Sequence, residues 1–265
     1  MSFVMRTALI SMVVAAMGFG ADFTESFRSS QPLRSGETLT VANVNGTVDI
    51  TGWDRETVDL DAVKHADSQS LLSQIRIEVR ATAGGLSIRT VVPEHHSGSM
   101  GARLVLKVPR HVNLESVSSS NGAMRVSGVE GVATLSTSNG AIHADVSGGR
   151  FRADTSNGAI EANLRHQDSR EPIVLDTSNG RISLTLDGSA VPDIRANTSN
   201  SEIELRLPAS ANARLEASTS NSGIFSDFEV TTRSLSKDSL RGTIGSGGPL
   251  LKLDTSNGAI HVRRN

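Results

Sequence analysis

Apolar and polar residues alternate with a period of two on both sides of a short phrase, T-S-N-G-A-I or a close variant, that recurs along the chain. In the repeat around Asn157, for example, Phe151 and Ala153 precede the phrase, and Ile160 and Ala162 follow in the same alternating register. Such alternation is typical of half-buried β-strands. Each repeat therefore predicts two strands joined by the Asn-containing turn.

The spacing of the repeats predicts an all-β, right-handed β-solenoid (β-helix) with coils of 18 to 22 residues. An antiparallel β-meander of Asn-Gly hairpins is the alternative, because Asn-Gly is also a strong hairpin signal. Near-identical successive turns favour the solenoid, in which equivalent side chains stack about 4.8 Å apart. We expect a structural ladder of hydrogen-bonded amides from Asn121, Asn139, Asn157, Asn179, Asn200, Asn221 and Asn257.

The residues on either side of each turn asparagine lead to two further predictions. The glycine that follows it is expected to supply a positive φ angle, which residues with a side chain adopt rarely. The threonine two residues before it, as at Thr155, shares parity with the apolar positions. Side chains of one parity lie on one face of a strand, so these threonines are expected to point inward or to line the turn.

Upstream, residues 39–50 fit the same template with Asn45 as the turn residue, so the solenoid is expected to begin there. Further strands are predicted at 58–63, 75–80, 86–92 and 104–108, and a short helix capped by Asp67 at 67–74. The longest interruption, 227–249, contains Ser and Gly clusters and is interpreted as a flexible excursion or an irregular extra coil.

The amino terminus resembles a secretory signal. One positive charge, Arg6, precedes a weakly polar to apolar run at 7–19, and small residues follow. The run is shorter than the roughly 20 residues that span a bilayer, so cleavage after Gly20 is favoured over retention as a membrane anchor. We expect a signal peptide at 1–20, an amino-terminal β region that caps and starts the solenoid at 21–112, and the regular repeats at 113–265.

Composition excludes several classes of protein. The chain has no cysteine, so disulfides cannot stabilise it and no lipid-bearing cysteine follows the signal. Its net charge of -2 and pI near 6.4 show no basic excess of the kind that binds nucleic acid. Aromatic residues make up only 3% of the chain. A solenoid tolerates this scarcity because stacked aliphatic side chains fill its interior.

Candidate chemistry is sparse. Asp154, Asp176 and Asp254 share one column with Ser and Asn, which is typical of a polar face rather than of a pair of carboxylates held in different environments. His143 and His261 occupy equivalent positions in separate coils, and the pair His95-His96 lacks further ligands nearby. The sequence therefore assigns no catalytic residue, no metal site and no cofactor.

The ordered set of motifs resembles a bacterial family. It comprises N-V-N-G-T-V-D-I-T-G-W-D at 43–54, L-K-V-P at 106–109, N-L-E-S-V-S-S-S-N-G at 113–122 and the closing G-S-G-G-P-L-L-K-L-D-T-S-N-G-A-I at 245–260. Together they are similar to the domain of unknown function 4097, an adhesin-like family of β-strand repeats. The resemblance covers about 25–262 and implies a repeat fold on the envelope or outer side of a bacterium. That family has no established catalytic residues to carry over.

These observations lead to one expectation of function and two alternatives. We expect a non-catalytic structural or adhesion module of the cell envelope, exported to the periplasm or cell surface, without membrane insertion of the mature chain. Its partner would be an envelope component, protein or glycan, and not nucleic acid. The alternatives are a carbohydrate-active enzyme, such as a polysaccharide lyase or hydrolase, and a carbohydrate-binding module. Both are disfavoured because sugar sites commonly use aromatic platforms, and Trp53 is the single tryptophan.

Overall fold

The computed structural model describes residues 10–13, 23–95, 97–167, 170–188, 190–236 and 238–265. The expected signal peptide at 1–20 lies outside the described residues except for Ile10–Val13, which pair antiparallel with the strand that follows. No helix within the described ranges is long and apolar enough to cross a membrane.

The described residues form 24 strands and one helix of four residues. In chain order they are β1 (Ile10–Val13), β2 (Phe23–Pro32), β3 (Thr38–Asn43), β4 (Val48–Trp53), β5 (Thr57–Ala66), α1 (Gln69–Leu72), β6 (Arg76–Thr82), β7 (Gly85–Val91), β8 (Met100–Pro109), β9 (Asn113–Ser119), β10 (Met124–Glu130), β11 (Ala133–Thr137), β12 (Ile142–Ser147), β13 (Phe151–Thr155), β14 (Ile160–Arg165), β15 (Ile173–Thr177), β16 (Ile182–Asp187), β17 (Ile194–Thr198), β18 (Ile203–Leu207), β19 (Ala213–Ser218), β20 (Ile224–Ser226), β21 (Val230–Leu235), β22 (Ser239–Ile244), β23 (Leu250–Thr255) and β24 (Ile260–Arg264).

The strands build two sheets of twelve, and every regular repeat contributes one strand to each sheet. The first sheet has the order β1-β2-β5-β8-β4-β10-β12-β14-β16-β18-β24-β20, and the second the order β21-β22-β19-β23-β17-β15-β13-β11-β9-β3-β7-β6. Successive repeats pair parallel and in register, so that Ala133 lies opposite Phe151 and Ile142 opposite Ile160. The protein is therefore a β-solenoid, and the antiparallel meander is wrong for the repeats because a meander would pair them antiparallel.

The core consists of aliphatic rows that run along the stack between the sheets. In-register pairing places the inward residue of one coil directly over that of the next. The row after each turn consists of Met124, Ile142, Ile160, Ile182, Ile203 and Ile260, each at most 1% exposed. Each buried aliphatic side chain contributes about 1.5 to 3 kcal/mol of transfer free energy, so the rows supply most of the favourable burial.

The stacking order departs from chain order near the carboxyl terminus. Coil β23–β24 pairs on one side with β17–β18 and on the other with β19–β20. The last repeat is thus inserted between the two repeats that precede it. The excursion at 227–249 makes this possible, because it forms the antiparallel hairpin β21–β22, which extends the second sheet beyond β19. This segment is a hairpin and neither a flexible excursion nor an extra coil.

The amino-terminal region has the same kind of insertion. Coil β3–β4 lies between β7–β8 and β9–β10, and all these pairs are parallel. Beyond β7 and β8 the pairing becomes antiparallel, to β6 in one sheet and to β5 and β2 in the other. The strands predicted around Asn45 and the four further strands are confirmed, with ends shifted by up to four residues. In the stack, however, the coil around Asn45 is interior, and the parallel pairing ends one coil further out, at β7–β8.

The single helix differs from its prediction in extent and in cap. It spans only Gln69–Leu72, and the hydroxyl of Ser68 accepts a hydrogen bond from the backbone N–H of Leu71. The predicted cap, Asp67, instead accepts a hydrogen bond from the backbone N–H of Ser99. Serine and aspartate are both good N-caps, so the sequence alone does not distinguish them.

The turn glycines are required for a reason other than the expected one. Gly140, Gly158 and Gly180 do not adopt positive φ angles. A Cβ atom on Gly158 would overlap the carbonyl oxygen of Gly140 in the neighbouring coil, and one on Gly180 would overlap that of Gly158. The glycine therefore permits close backbone approach between coils at the turn, where backbone amides also bond from coil to coil, as from Asn157 to Ser138 at 3.1 Å.

Replacing an interior turn glycine is therefore expected to force two coils apart. Gly158→Ala should lower the free energy of unfolding by about 3 kcal/mol, the upper range for overpacking. Gly84→Ala is the matched control, since a Cβ there meets no atom within 4 Å and φ is not positive; it should change stability by less than about 0.5 kcal/mol. Urea unfolding followed by circular dichroism measures both, and equal effects would contradict the close-approach explanation.

Candidate functional site

The asparagines singled out by the sequence lie in one column along the turn edge of the solenoid. The Nδ2 atom of each donates to the Oδ1 atom of its neighbour at 2.6 to 2.8 Å. Asn45 adds a further member through its contact with Asn121. The column runs Asn45, Asn121, Asn139, Asn157, Asn179, Asn200, Asn257, Asn221. Asn257 is thus interior and Asn221 terminal, which chain order does not indicate.

The threonines beside the turns form a second, buried column. Their exposures are between 1% and 7%, as expected from their parity. Each hydroxyl donates to the backbone carbonyl that follows the asparagine of the neighbouring coil, as from Thr155 to Gly140 at 3.0 Å and from Thr255 to Ser201 at 2.9 Å. Ser201 replaces the usual glycine without loss of this bond. The turn edge is therefore held by backbone, hydroxyl and amide bonds together.

The aspartate column lies on the outward face of the second sheet, where Asp154 and Asp176 are direct neighbours. Arg152 donates two hydrogen bonds to the Asp154 carboxylate, at 2.8 and 2.9 Å, and lies 3.7 Å from Asp176. Burial raises the pKa of Asp176, and the Asp154 charge raises it further. Asp254 lies beyond Asn197 in the same column. The arrangement is an ion-paired column in which one guanidinium serves two carboxylates.

The histidines remain separate. His143 pairs with Glu161 at 3.2 Å, whereas His261 stacks on Phe225 with ring centroids 5.0 Å apart and an interplanar angle of 13°. His95 lies on an exposed loop, and His96 lies outside the described residues. Across the described ranges, no group of three or more His, Cys, Asp or Glu side chains is placed to hold a metal ion.

Trp53 lies on the outward face of the first sheet and is covered by two cations. The Arg55 guanidinium lies 5.0 Å and the Lys107 ammonium 5.8 Å from the ring centroid. The indole N–H donates to the backbone carbonyl of Thr57 at 2.9 Å. These distances are typical of cation–π interactions, and the two cations cover part of the indole ring.

A group that sequence reasoning missed lies on the same outward face, over the carboxyl-terminal coils. We name it the arginine–glutamate cluster, and it consists of Arg181, Glu202, Glu204, Arg206 and Arg263. Pairing of β18 with β24 sets Arg206 beside Arg263 and Glu204 beside His261. Glu204 is only 5% exposed although it projects from the outward side of its strand. The surrounding arginine side chains bury it.

Both oxygens of Glu204 lie within ion-pair distance of arginines, but Oε1 accepts no hydrogen bond from the described residues. Its Oε1 atom lies 2.6 Å from Arg206 and 3.5 Å from Arg263, and its Oε2 atom contacts Arg181, which also reaches Glu202 at 3.0 Å. Burial acts to raise the pKa of Glu204, but the charges of the three arginines and a hydrogen bond from Arg181 outweigh it. The pKa of Glu204 therefore lies below its ordinary value, and the carboxylate stays ionised.

The cluster borders a shallow open cavity of about 310 Å³, lined among others by Glu161, Arg181, Ser183 and Arg206. At the other side of Glu204, His261 and Phe225 continue the row, and Phe225 is 55% exposed. Cationic, anionic and aromatic groups thus lie side by side on the outward face, where the charged groups pair with one another and His261 covers one face of the Phe225 ring.

Sequence reasoning missed the cluster because it took chain order as stacking order. In chain order, Arg263 stands two repeats beyond Arg206, with the 213–226 repeat and the excursion between them. Insertion of β23–β24 makes them neighbours. One sequence signal was present: Arg181 occupies the position after the turn glycine that is alanine in most copies of the phrase.

Comparisons with known proteins give likeness only at the level of solved structures. No family model matches the chain. No curated protein matches it in sequence. Similar solved structures include a "putative cell adhesion protein" from Clostridium sporogenes (10% identity, TM-score 0.36, 91% of this chain and 100% of that one) and a "putative adhesin" from Bacteroides fragilis (11%, 0.36, 91% and 97%). Another is a "putative lipid binding protein" from Parabacteroides distasonis (11%, 0.35, 92% and 98%). These identities and TM-scores are too low to carry a functional conclusion.

The amide column generates a prediction about stability. Asn157→Ala removes two ladder bonds and should lower the free energy of unfolding by about 1 to 2 kcal/mol, whereas Asn221→Ala removes one terminal bond and should cost about half as much. Asn163→Ala, an exposed asparagine on a strand outside the ladder, is the control. Equal costs for Asn157→Ala and Asn221→Ala in urea unfolding would show that the number of ladder bonds does not determine the loss of stability.

The Glu204 environment generates a prediction about pH. Because the pKa of Glu204 is lower in the folded chain than its ordinary 4.5, its carboxylate stabilises the fold above pH 4.5, and this contribution is lost as the pH falls through the folded pKa. Glu204→Gln should lower the free energy of unfolding at pH 7 by about 1 to 3 kcal/mol. The gap should narrow below pH 4.5. Glu161→Gln in the same column is the control, and a gap independent of pH would contradict this assignment.

Proposed function

We propose that this chain is an exported, non-catalytic structural or adhesion module of the bacterial cell envelope. Its mature part would act at the periplasmic side or the cell surface and bind an envelope component, protein or glycan. The motifs at 43–54 and 245–260, which resemble the domain of unknown function 4097, support the location. The apolar run within 1–20 supports export.

The observation that carries the proposal is the long outward face of the first sheet. Twelve strands at about 4.8 Å give a surface about 50 Å long. In-register pairing arranges its outward residues in rows, as where Arg125 lies opposite His143 and Glu161 opposite Ser183. Bonds between coils hold these rows in place, so a partner would meet a preorganised surface. Preorganisation lowers the entropic cost of binding, which suits weak polar contacts repeated along a surface.

The alternative, a polysaccharide-degrading enzyme, would need aspartates that act as a general acid and a general base. General acid and base chemistry needs carboxylates free to exchange protons with a substrate. Both oxygens of Asp154 accept hydrogen bonds from Arg152, and Asp176 shares that guanidinium. This favours a structural role for the column.

Binding to fractionated envelope material tests the proposal. The chain would be expressed from its full sequence in a bacterium, and the exported product purified and its amino terminus sequenced. We expect a mature start at Ala21 and co-sedimentation with insoluble envelope fractions that weakens several-fold between 50 and 500 mM salt, because charged side chains carry the contact.

Three outcomes would contradict the proposal. Retention of the product in the cytoplasm, or failure to bind any envelope fraction, would refute a role in the envelope. Release of reducing or unsaturated sugar ends from polysaccharides, with loss of that turnover in Asp154→Asn or Asp176→Asn, would establish the enzyme alternative instead.

A further inference from the structure

We propose that the outer edge of β2 pairs with the same edge of a second copy of the mature chain, so that two molecules form an antiparallel dimer at the amino-terminal end of the stack. The inference rests on the proposed function, because this edge becomes free only when residues 1–20 are removed on export. It goes beyond that function, since it names an interaction surface and the partner that fits it.

In the structure, a strand from the expected signal peptide covers this edge. β1 pairs antiparallel with β2 over four residues, from Ile10 opposite Ser29 to Val13 opposite Ser26. β1 is the last strand of the first sheet at this end, so cleavage after Gly20 would make β2 the edge strand. The edge thus accepts a further strand in the antiparallel orientation, which is also the orientation that a two-fold axis imposes on two copies of one strand.

The other three sheet ends have features that oppose pairing with another chain. β20 is only three residues long, β6 has three charged residues among its seven, and β21 has a bulge between Thr232 and Ser234. Short length, charged side chains and bulges are the usual protection of edge strands. β2 is ten residues long, pairs with β5 without a register shift and has its only proline at its last position. It is therefore the edge best suited to pairing.

The inner face of β2 supplies apolar surface for the contact. Beyond coil β3–β4 the first sheet continues with β8, β5 and β2, whereas the second sheet continues with β7 and β6. No described strand of the second sheet therefore lies across from β2. Phe27 packs against the core but is only partly buried, and Phe23 on the same face is 43% exposed. Contact with a second copy would bury part of this surface.

The charges of β2 select the register of the pairing. Glu25 lies 2.8 Å from Lys64, and Arg28 lies 3.2 Å from Asp61 but keeps 66% of its side chain exposed. Antiparallel pairing sets side chains of one face opposite one another, so the two-fold axis must pass through a residue. An axis at Glu25 or Arg28 would place that charge opposite its own copy, which is unfavourable.

An axis at Phe27 avoids this repulsion and aligns the two strands over residues 23–31. It places Phe27 opposite its own copy, an aromatic pair of the kind that stabilises sheets, and it places Arg28 opposite Ser26 of the second copy. Nine opposed residues form about eight to ten hydrogen bonds between the strands. The far edge of the first sheet, β20, has only three residues to offer. A second copy of β2 is therefore the partner of matching length.

Sedimentation velocity of the exported product, with its amino terminus sequenced, tests the inference. We expect the chain that begins at Ala21 to form a dimer in the micromolar range and to dissociate on dilution. Ser26→Lys puts a cation opposite Arg28 of the second copy at two symmetry-related places and should weaken dimerisation about fivefold. Ser26→Glu should strengthen it by a similar factor, and both effects should shrink at high salt.

Matched controls separate the edge from general effects of charge. Ser136→Lys and Ser136→Glu make the same changes at an exposed serine of β11, an interior strand of the second sheet, and should dimerise like the parent. Circular dichroism would check that each variant is folded. A peptide with the sequence of residues 7–16, which contains β1, should compete with the second copy and shift the protein towards monomer.

Two results with a product that begins at Ala21 would overturn the inference and leave the proposed function standing. A product that stays monomeric excludes self-pairing, and if this monomer binds the peptide, the edge instead accepts an apolar strand of a different protein. A dimer that responds neither to the Ser26 variants nor to the peptide is formed by another surface.

The uncleaved chain provides the remaining test. If the product stays in the cytoplasm with residues 1–20 attached, the proposed function fails. That chain still has β1 on the edge of β2 and is expected to be monomeric at concentrations where the mature chain would pair. A dimer of the uncleaved chain would show that β1 does not block the interface, and the inference would fail as well.

Discussion

The close approach of neighbouring coils at the turn is the constraint on which the rest of this structure depends. At Gly158 and Gly180 the backbone comes so near the coil beside it that no side chain would fit. That approach allows backbone amides, threonine hydroxyls and asparagine amides to bond from coil to coil within a few residues. Because three kinds of hydrogen bond share one register, a slip of one residue would break all of them. The turn therefore sets the register of both sheets.

In-register stacking decides which side chains become neighbours. Inside the solenoid it places each aliphatic side chain against the equivalent side chain of the next coil. This arrangement is favourable because dispersion contacts and hydrophobic burial are attractive between identical side chains. Outside, the same rule brings like charges together, as at Asp154 and Asp176, and their repulsion must be offset by a cation from an adjacent position. Arg152 does this on the second sheet. The arginines around Glu204 represent the opposite case on the first sheet, with an excess of cations over one buried anion.

Insertion of the last repeat determines which side chains form the arginine–glutamate cluster. If β19–β20 followed β17–β18 directly, β20 would occupy the place beside β18 that β24 now holds, and Phe225 would take the position of His261 next to Glu204. In the observed order, Arg263 reaches Glu204, and Phe225 lies at the outer end of the row with His261 as its neighbour. The hairpin β21–β22 extends the second sheet at that end. One change in connection thus brings Arg263 to Glu204 and leaves Phe225 on the edge strand.

Much of the fold could be predicted from local pattern. Alternation around Asn157 identified both strands of a coil, parity placed Thr155 inside, and the recurrence of one phrase distinguished stacked coils from hairpins. These features depend on residues close together in the chain, where the two-residue period of a strand and the chemistry of a turn act directly. The role of the turn glycine was misjudged, because a close approach between coils and a positive φ angle select the same residue.

By itself, therefore, the sequence determined the all-β class, the coil, the inward and outward faces and the amide column. Tertiary structure alone decided the order in which coils stack, and with it the interior place of Asn257 and the meeting of Arg206 with Arg263. The physical reason is that all repeats carry nearly the same inward residues and turn bonds, so local energetics are nearly equal for any order of coils. The connections between coils, such as the excursion at 227–249, remove that equivalence, because each connection limits where the coil that follows it can join the stack.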